Sequence, residues 1–188
     1  MMKQGTTIVL MLLLVAFSGC GPSKEKRAKE SAMRYRIAHD LFYKGDTTQA
    51  MSELLKAEKL TPDNPDIQNL LSLAYAQRGM TKEAEKHARM AIKLDPEFSE
   101  ARNHLCAIMI DEKRYDEAIA ECTKSVENVT YATPERPYHN MGIAYERKGD
   151  SAKAIESYKK ALLHNRNFVL SRRSLASVSY THLRAHET

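Results

Sequence analysis

The chain has 188 residues, of which 43% are hydrophobic and 28% charged, a composition that suits one globular domain and excludes a disordered protein. Only seven glycines and six prolines, with no tryptophan, indicate an all-α protein. The formal net charge of +5 is spread over alternating basic and acidic residues, so the basic stripe of a nucleic-acid-binding protein is missing.

Residues 1–19 have the layout of a secretory signal peptide. Lys3 precedes an apolar run from Ile8 to Phe17, which is too short to span a bilayer because a spanning helix takes about twenty residues. The run ends at Phe17-Ser18-Gly19-Cys20, which resembles the lipobox of bacterial lipoproteins. That resemblance implies cleavage before Cys20 and lipidation of its thiol, and Gly21 in place of Asp favours the outer membrane. The alternative is a plain signal peptide in which Cys20 is incidental.

The segment after the signal peptide, residues 20–30, is polar and lacks apolar periodicity. Because it also starts with Gly21-Pro22 after the cysteine, we expect a flexible tether between the lipid anchor and the folded domain.

Residues 31–168 contain a repeat of 34 residues. Ala50, Ala84, Ala118 and Ala154 are spaced 34, 34 and 36 residues apart, and a second small residue follows each after seven. This period is typical of the tetratricopeptide repeat (TPR), a helix–turn–helix unit. We therefore predict an all-α, right-handed solenoid of antiparallel helix hairpins. Its four units are 31–64, 65–98, 99–132 and 135–168, with Thr133-Pro134 as an insertion.

Each first helix carries one small residue between two large ones on a single helical face. The small residues are Ala38, Ser72, Cys106 and Gly142. We expect them to lie where the second helix approaches most closely, near the alanine series that starts at Ala50, because bulk there would separate the helices.

The remaining faces of the first helices are predicted to line a concave groove that binds a protein partner. The groove candidates are Tyr35, His39, Phe42, Tyr43, Asn69, Leu73, Ala76, Asn103, Ile110, His139 and Ile143, together with Gln77, Ala107, Asp111, Glu146 and Arg147. An alternative holds for Tyr35 and Phe42, which could instead cap the open end of the stack, since terminal repeats need a covering element.

Cys106 and Cys122 are predicted to face each other across the third hairpin. In an exported protein this allows either a disulfide or two buried thiols acting as small hydrophobes, and the thiols are favoured because Cys is readily buried in helical cores. Motifs for catalysis, phosphate binding or metal binding are missing from the sequence. We therefore predict a protein that is not an enzyme and takes no cofactor, metal ion, nucleic acid or small-molecule substrate.

The C-terminal segment 169–188 begins a fifth unit with Leu175-Ala176 in the large–small positions. The repeat phase is lost at Ser179, where a large residue belongs. Residues 179–188 also resemble a tail found on unrelated assembled sequences, so we interpret them as non-native; the alternative is a frayed C-terminus.

Short motifs in the third and fourth units narrow the family. Tyr131-Ala132-Thr133-Pro134-Glu135-Arg136, then His139-Asn140-Met141-Gly142, then His164-Asn165-Arg166-Asn167 resemble the type IV pilus biogenesis lipoproteins of the PilF/PilW type. The resemblance implies an outer-membrane pilotin on the periplasmic face that binds the pilus secretin and promotes its localisation and assembly. The alternative function is that of a general periplasmic TPR adaptor lipoprotein for cell-envelope or peptidoglycan enzymes.

Overall fold

The computed structural model of the protein describes residues 23–186, so the predicted signal peptide and lipidation at Cys20 lie outside the described residues. This part of the chain is helical in nine segments. They are α1 (Lys24–Tyr43), α2 (Thr47–Leu60), α3 (Pro65–Gln77), α4 (Thr81–Leu94), α5 (Ser99–Asp111), α6 (Tyr115–Glu127), α7 (Glu135–Arg147), α8 (Ser151–His164) and α9 (Val169–His186). Within residues 23–186, no helix combines the length and the apolar character needed to cross a membrane.

Helices α1 to α8 pair as four antiparallel hairpins, each closed by a three-residue turn. The turn uses one residue in the left-handed region, which is Gly79 (φ 72°) in the second hairpin and Lys113 (φ 62°) in the third. The amide of Met80 then donates to the carbonyl of Tyr75 at 3.0 Å, which satisfies a carbonyl at the end of α3. The predicted all-α TPR solenoid is confirmed.

In the third and fourth hairpins, a close contact joins residues 16 apart. In the third unit Cys106 and Cys122 are directly bonded. In the fourth unit, a Cβ atom placed on Gly142 would lie 2.3 Å from the ring of Tyr158. The repeat pattern predicts this close approach near the alanine series, which includes Ala154. That prediction is wrong for Gly142, because the ring of Tyr158, one helical turn further along α8, fills the space that the glycine leaves.

Apolar clusters join neighbouring hairpins into one stack. The largest contains Ala88 of α4, Leu105 and Met109 of α5, and Met141 of α7. A second cluster joins α1, α2 and α3 around Leu54 and other buried residues. Since these clusters cross the boundaries between units, each hairpin depends on its neighbours for stability.

The flexible tether predicted for residues 20–30 is wrong from Lys24 onward, because α1 already begins there. The Ser23 hydroxyl accepts a hydrogen bond from the amide of Lys26, and Glu25 pairs with Lys29 one turn later. These residues are good helix formers, and the sequence lacks apolar periodicity there because, among the described residues, no other helix packs against this part of α1. The first buried residue of α1 is Ser31.

The last helix, α9, packs on α8 through Val178, which is 2% exposed, and its buried Ser171 meets His139 of α7. It continues past Ser179, so the loss of repeat phase in the sequence does not end the helix. Ala176, which the sequence placed at a close-approach position, is exposed, since no described helix packs on that side of α9. The non-native origin of residues 179–188 stays a prediction.

Candidate protein-binding site

A row of aromatic rings runs along one face of α1 at helical spacing. The ring centroids of Tyr35 and His39 are 6.1 Å apart, and those of His39 and Tyr43 are 4.6 Å apart. Phe42 meets Tyr43 edge to face at 5.4 Å. Tyr43 is 63% exposed and His39 is exposed as well, so this end of the row is available to a partner.

Tyr35 and Phe42 are less accessible than the groove prediction requires. Both are half-buried and pack against the cluster formed by α1, α2 and α3. Burial, with smaller contributions from Asp66 and Glu100, raises the pKa of Tyr35 to about 12, so its phenol stays neutral at physiological pH. These two rings thus take part in the packing of α1 against that cluster, whereas His39 and Tyr43 face solvent. That Tyr35 and Phe42 cap the open end of the stack stays a prediction.

Tyr43 also borders a cleft that reaches the third unit. The cleft has a volume of about 410 Å³, and we call it the tyrosine cleft. Its walls are the end of α1, the α4–α5 connection, the first turn of α5, the α6–α7 connection and the first turn of α7. The side chains used below are Tyr43, Asp95, Glu97, Phe98, Glu100, Tyr131 and Arg136.

The tyrosine cleft is acidic. It contains the carboxylates of Asp95, Glu97 and Glu100 and a single guanidinium, that of Arg136. No described Lys or Arg nitrogen lies within 4.0 Å of these three carboxylates. His104 Nε2 is 3.7 Å from Glu100, but burial lowers the pKa of His104 to about 4, so its ring is neutral at physiological pH. The cleft therefore suits a ligand with cationic and aromatic or apolar groups.

Tyr131 is an unusual member of the cleft wall. Its hydroxyl is buried, and the nearest side chain that bears on it is the neighbouring Thr133, with which it forms at most a poorly aligned hydrogen bond. Burial also raises its pKa, so the phenol remains protonated and can donate. Because the residue lines the cleft and this donor is poorly satisfied within the protein, Tyr131 is a candidate binding residue.

A second cleft lies between α5 and α7, with a volume of about 420 Å³. Ala107, Ile110 and Ile143 supply its apolar wall, and Asp111 and Arg147 supply charged groups. All five were groove candidates in the sequence. Two other candidates behave differently: Leu73 is half-buried against the first cluster, and Ala76 is exposed but lines neither cleft.

The groove prediction is wrong for Asn69, Asn103 and His139, which are 7%, 5% and 8% exposed. Their side chains hydrogen-bond between successive first helices instead. His104 Nδ1 lies 2.7 Å from Asn69 Oδ1, and His139 Nδ1 lies 3.0 Å from the hydroxyl of Ser171. These residues join one unit to the next, because a buried polar group needs such a partner.

Sequence reasoning missed most of the tyrosine cleft. Phe98, Glu100 and Tyr131 lie at or beside the connections between units, whereas the groove candidates came only from the interiors of the first helices. One signal was available, since the motif from Tyr131 to Arg136 coincides with the two-residue insertion that lengthens the α6–α7 connection.

The two cysteines of the third hairpin form a disulfide in the structure. Their Cα atoms are 5.5 Å apart, within the range that a disulfide spans. Both residues are fully buried. The pairing across the hairpin agrees with the sequence analysis, but the preference for two reduced thiols does not agree with this structure. The disulfide ties α5 to α6.

Residues 26–178 match the tetratricopeptide repeat family. The chain belongs to that family. It is 26% identical over 167 residues to the type IV pilus assembly protein PilF of Pseudomonas aeruginosa, an alignment that covers 85% of this chain and 66% of PilF. The chain thus spans just under two thirds of the length of that relative.

The same relationship appears among solved structures. A structure of P. aeruginosa PilF superposes with a TM-score of 0.78 at 23% identity, covering 84% of this chain and 71% of PilF. A crystal structure of PilW, described as a widely conserved type IV pilus biogenesis factor, gives a TM-score of 0.77 at 22% identity over 80% of this chain and 69% of PilW. The TPR protein described here is therefore related in sequence to PilF and shares its fold with both.

Proposed function

We propose that this protein is a lipid-anchored pilotin of the outer membrane that binds a segment of the pilus secretin and assists its localisation and assembly. The observation that carries the proposal is the sequence relationship to PilF. In addition, residues of the Tyr131–Arg136 motif, on which the resemblance to this family rests, line the tyrosine cleft. The lipobox-like sequence at Cys20 supplies the anchor. TPR scaffolds act by binding proteins, and the two clefts offer surface for that role.

The chemistry of the tyrosine cleft defines the secretin segment it would accept. Three carboxylates outnumber the one guanidinium of the cleft, that of Arg136, and none lies within 4.0 Å of a described Lys or Arg nitrogen, so they attract Lys or Arg side chains. Tyr43 and Phe98 offer aromatic faces over which such cations pack. An acidic peptide would be repelled. The bound segment is therefore expected to be basic, with at least one aromatic or aliphatic anchor.

A charge-reversal experiment tests the cleft. Glu97→Lys combined with Glu100→Lys should weaken co-purification of the secretin subunit from detergent-solubilised outer membranes at least about tenfold, because reversing two charges replaces attraction with repulsion. The matched control is Asp63→Lys with Glu83→Lys, which changes the net charge equally at exposed positions outside the cleft. Binding unaffected by the first pair, or weakened equally by both pairs, would remove the cleft from the proposal.

The anchor is tested separately. Wild-type protein grown with radioactive palmitate should be labelled, and Cys20→Ser should not be. Equal labelling of both proteins contradicts lipidation at this cysteine. Co-purification of peptidoglycan enzymes in place of the secretin would instead support the general periplasmic adaptor.

A further inference from the structure

The first seven residues of α1 extend beyond the folded stack. Helix α1 has 20 residues, whereas α3, α5 and α7 have 13 each. Residues 24–29 are all exposed, and packing against α2 begins only at Ser31, whose hydroxyl donates to the carbonyl of Ala57. At 1.5 Å per residue, the extension is about 10 Å long.

This extension concentrates the positive charge of the protein. Lys24, Lys26, Arg27 and Lys29 against Glu25 and Glu30 give 4 − 2 = +2, compared with +5 for the whole chain. Glu25 pairs with Lys29, but no described carboxylate lies within 4.0 Å of Lys24, Lys26 or Arg27. We call the four basic residues the cationic end of α1.

The position of the cationic end along the chain identifies its binding partner. Only three residues separate Cys20 from Lys24, and four Cα–Cα steps span at most about 14 Å. If Cys20 carries the lipid, as the proposed function holds, the first turn of α1 begins at the level of the headgroups. The potential of an anionic leaflet extends over about one Debye length, roughly 8 Å, so it reaches this turn.

We propose that the cationic end of α1 binds the anionic phospholipid surface next to the anchor. The extension is helical, so this contact would do more than add affinity. It would fix the height of the TPR stack above the bilayer and limit its tilt, whereas a flexible tether would leave both free. The lipid and the basic residues together supply the two signals that a stable, oriented membrane attachment requires.

Vesicle binding by unlipidated protein tests this proposal. The protein is residues 20–188 with Cys20→Ser, which contains every described residue and carries no lipid. It should co-sediment with vesicles of phosphatidylcholine and phosphatidylglycerol (2:1) at 50 mM NaCl, but not at 500 mM NaCl and not with phosphatidylcholine alone. Changing Lys24, Lys26, Arg27 and Lys29 to Gln should weaken binding at least about tenfold, since each basic residue near a membrane contributes about fivefold.

The control variant changes Lys82, Lys86, Lys93 and Lys159 to Gln. These residues are exposed, lie outside the extension and form no ion pair among the described residues, and their loss gives the same change in net charge. Circular dichroism should be unchanged in both variants, because Gln and Lys have similar helix propensity. The proposal is overturned if the unlipidated protein with its cationic end intact does not bind the anionic vesicles. It is also overturned if the control substitutions weaken binding as much as the substitutions in the cationic end do. Neither outcome depends on palmitate labelling or secretin binding, so the two proposals fail separately.

Discussion

Gly142 and Tyr158 fit together across the fourth hairpin because the glycine has no side chain: a Cβ atom at residue 142 would lie 2.3, 2.5 and 2.8 Å from three carbons of the tyrosine ring. The same two repeat positions hold Ala38 with Leu54, Ser72 with Ala88, and Cys106 bonded to Cys122 in the other units. All of these residues are 0% exposed apart from Gly142, which is also buried. We infer that the residues at these two positions change together from one repeat to the next, because both side chains fill the same space between the two helices of a hairpin.

Gly142→Ala should destabilise the protein. The added methyl group overlaps the ring of Tyr158, and overpacking of this kind costs about 1–3 kcal/mol of unfolding free energy. Tyr158→Leu alone should also be costly, because it leaves a cavity and removes the 2.8 Å hydrogen bond from the Tyr158 hydroxyl to Glu146.

The double variant Gly142→Ala, Tyr158→Leu recreates the Ala38–Leu54 pair of the first unit. It should be more stable than the sum of the two single changes predicts, by at least about 1 kcal/mol, since the residues are in contact. Urea unfolding of all four proteins measures this coupling. Strict additivity would show that the two positions do not share a volume.

Removal of the disulfide should destabilise the third unit without unfolding the stack. Cys106→Ser with Cys122→Ala reproduces the Ser72–Ala88 pair of the second unit, so the hairpin can accommodate the new side chains. The closed loop has a sequence separation of 16 residues, for which the loss of the cross-link costs about 3 kcal/mol. Dithiothreitol should lower the melting temperature of wild-type protein and leave that of the variant unchanged. No effect of dithiothreitol on wild-type protein would mean that the disulfide is not formed in solution.

The buried His104 should make stability depend on pH below neutrality. Burial, with a smaller contribution from nearby Arg136, lowers its pKa to about 4 in the folded state. An unfolded histidine has its ordinary pKa near 6.5, so between pH 6.5 and 4 the unfolded chain binds a proton that the folded chain does not. The free energy of unfolding should therefore fall as the pH falls, by roughly 1–2 kcal/mol from pH 6.5 to pH 5.

His104→Asn isolates this contribution. The next unit has Asn140 at the same repeat position, where its amide donates to Asn103 at 2.9 Å, so an asparagine at 104 can keep the hydrogen bond to Asn69. The variant should lose less stability than wild-type protein between pH 6.5 and pH 5, as measured by urea unfolding at each pH. Identical pH profiles would show that His104 does not set this dependence.

The sequence predicted the repeat and its helices because the hairpin contacts recur at fixed spacing, as Ala50 and Ala84 illustrate. It could not separate buried from exposed positions on the first helices. Asparagine is usually a surface residue, so the sequence gives no sign that Asn69 and Asn103 are buried. Their hydrogen-bond partners, His104 and Asn140, come from the next unit in the stack. The tyrosine cleft was harder still to predict. Its walls include both Tyr43 and the connection that contains Tyr131, which the path of the whole stack brings to one cleft.

The burial of Tyr35 and Phe42 changes the effect expected from substituting them. From the sequence alone, Tyr35→Ala with Phe42→Ala would weaken secretin binding at least about tenfold and leave folding intact. In the structure both rings are half-buried against the first apolar cluster, so their truncation removes packing and should cost about 2 kcal/mol or more of unfolding free energy. We therefore expect the melting temperature and secretin binding to fall together.

The matched variant is His39→Ala with Tyr43→Ala, which truncates two exposed rings of the same helix. Its melting temperature should stay within about 2 °C of wild type, because exposed substitutions rarely change stability by more than about 0.5 kcal/mol. Its secretin binding should still weaken, since Tyr43 borders the tyrosine cleft. Full binding by this folded variant would exclude α1 from the partner surface and leave the cleft between α5 and α7, with Ile110 and Ile143, as the site to test.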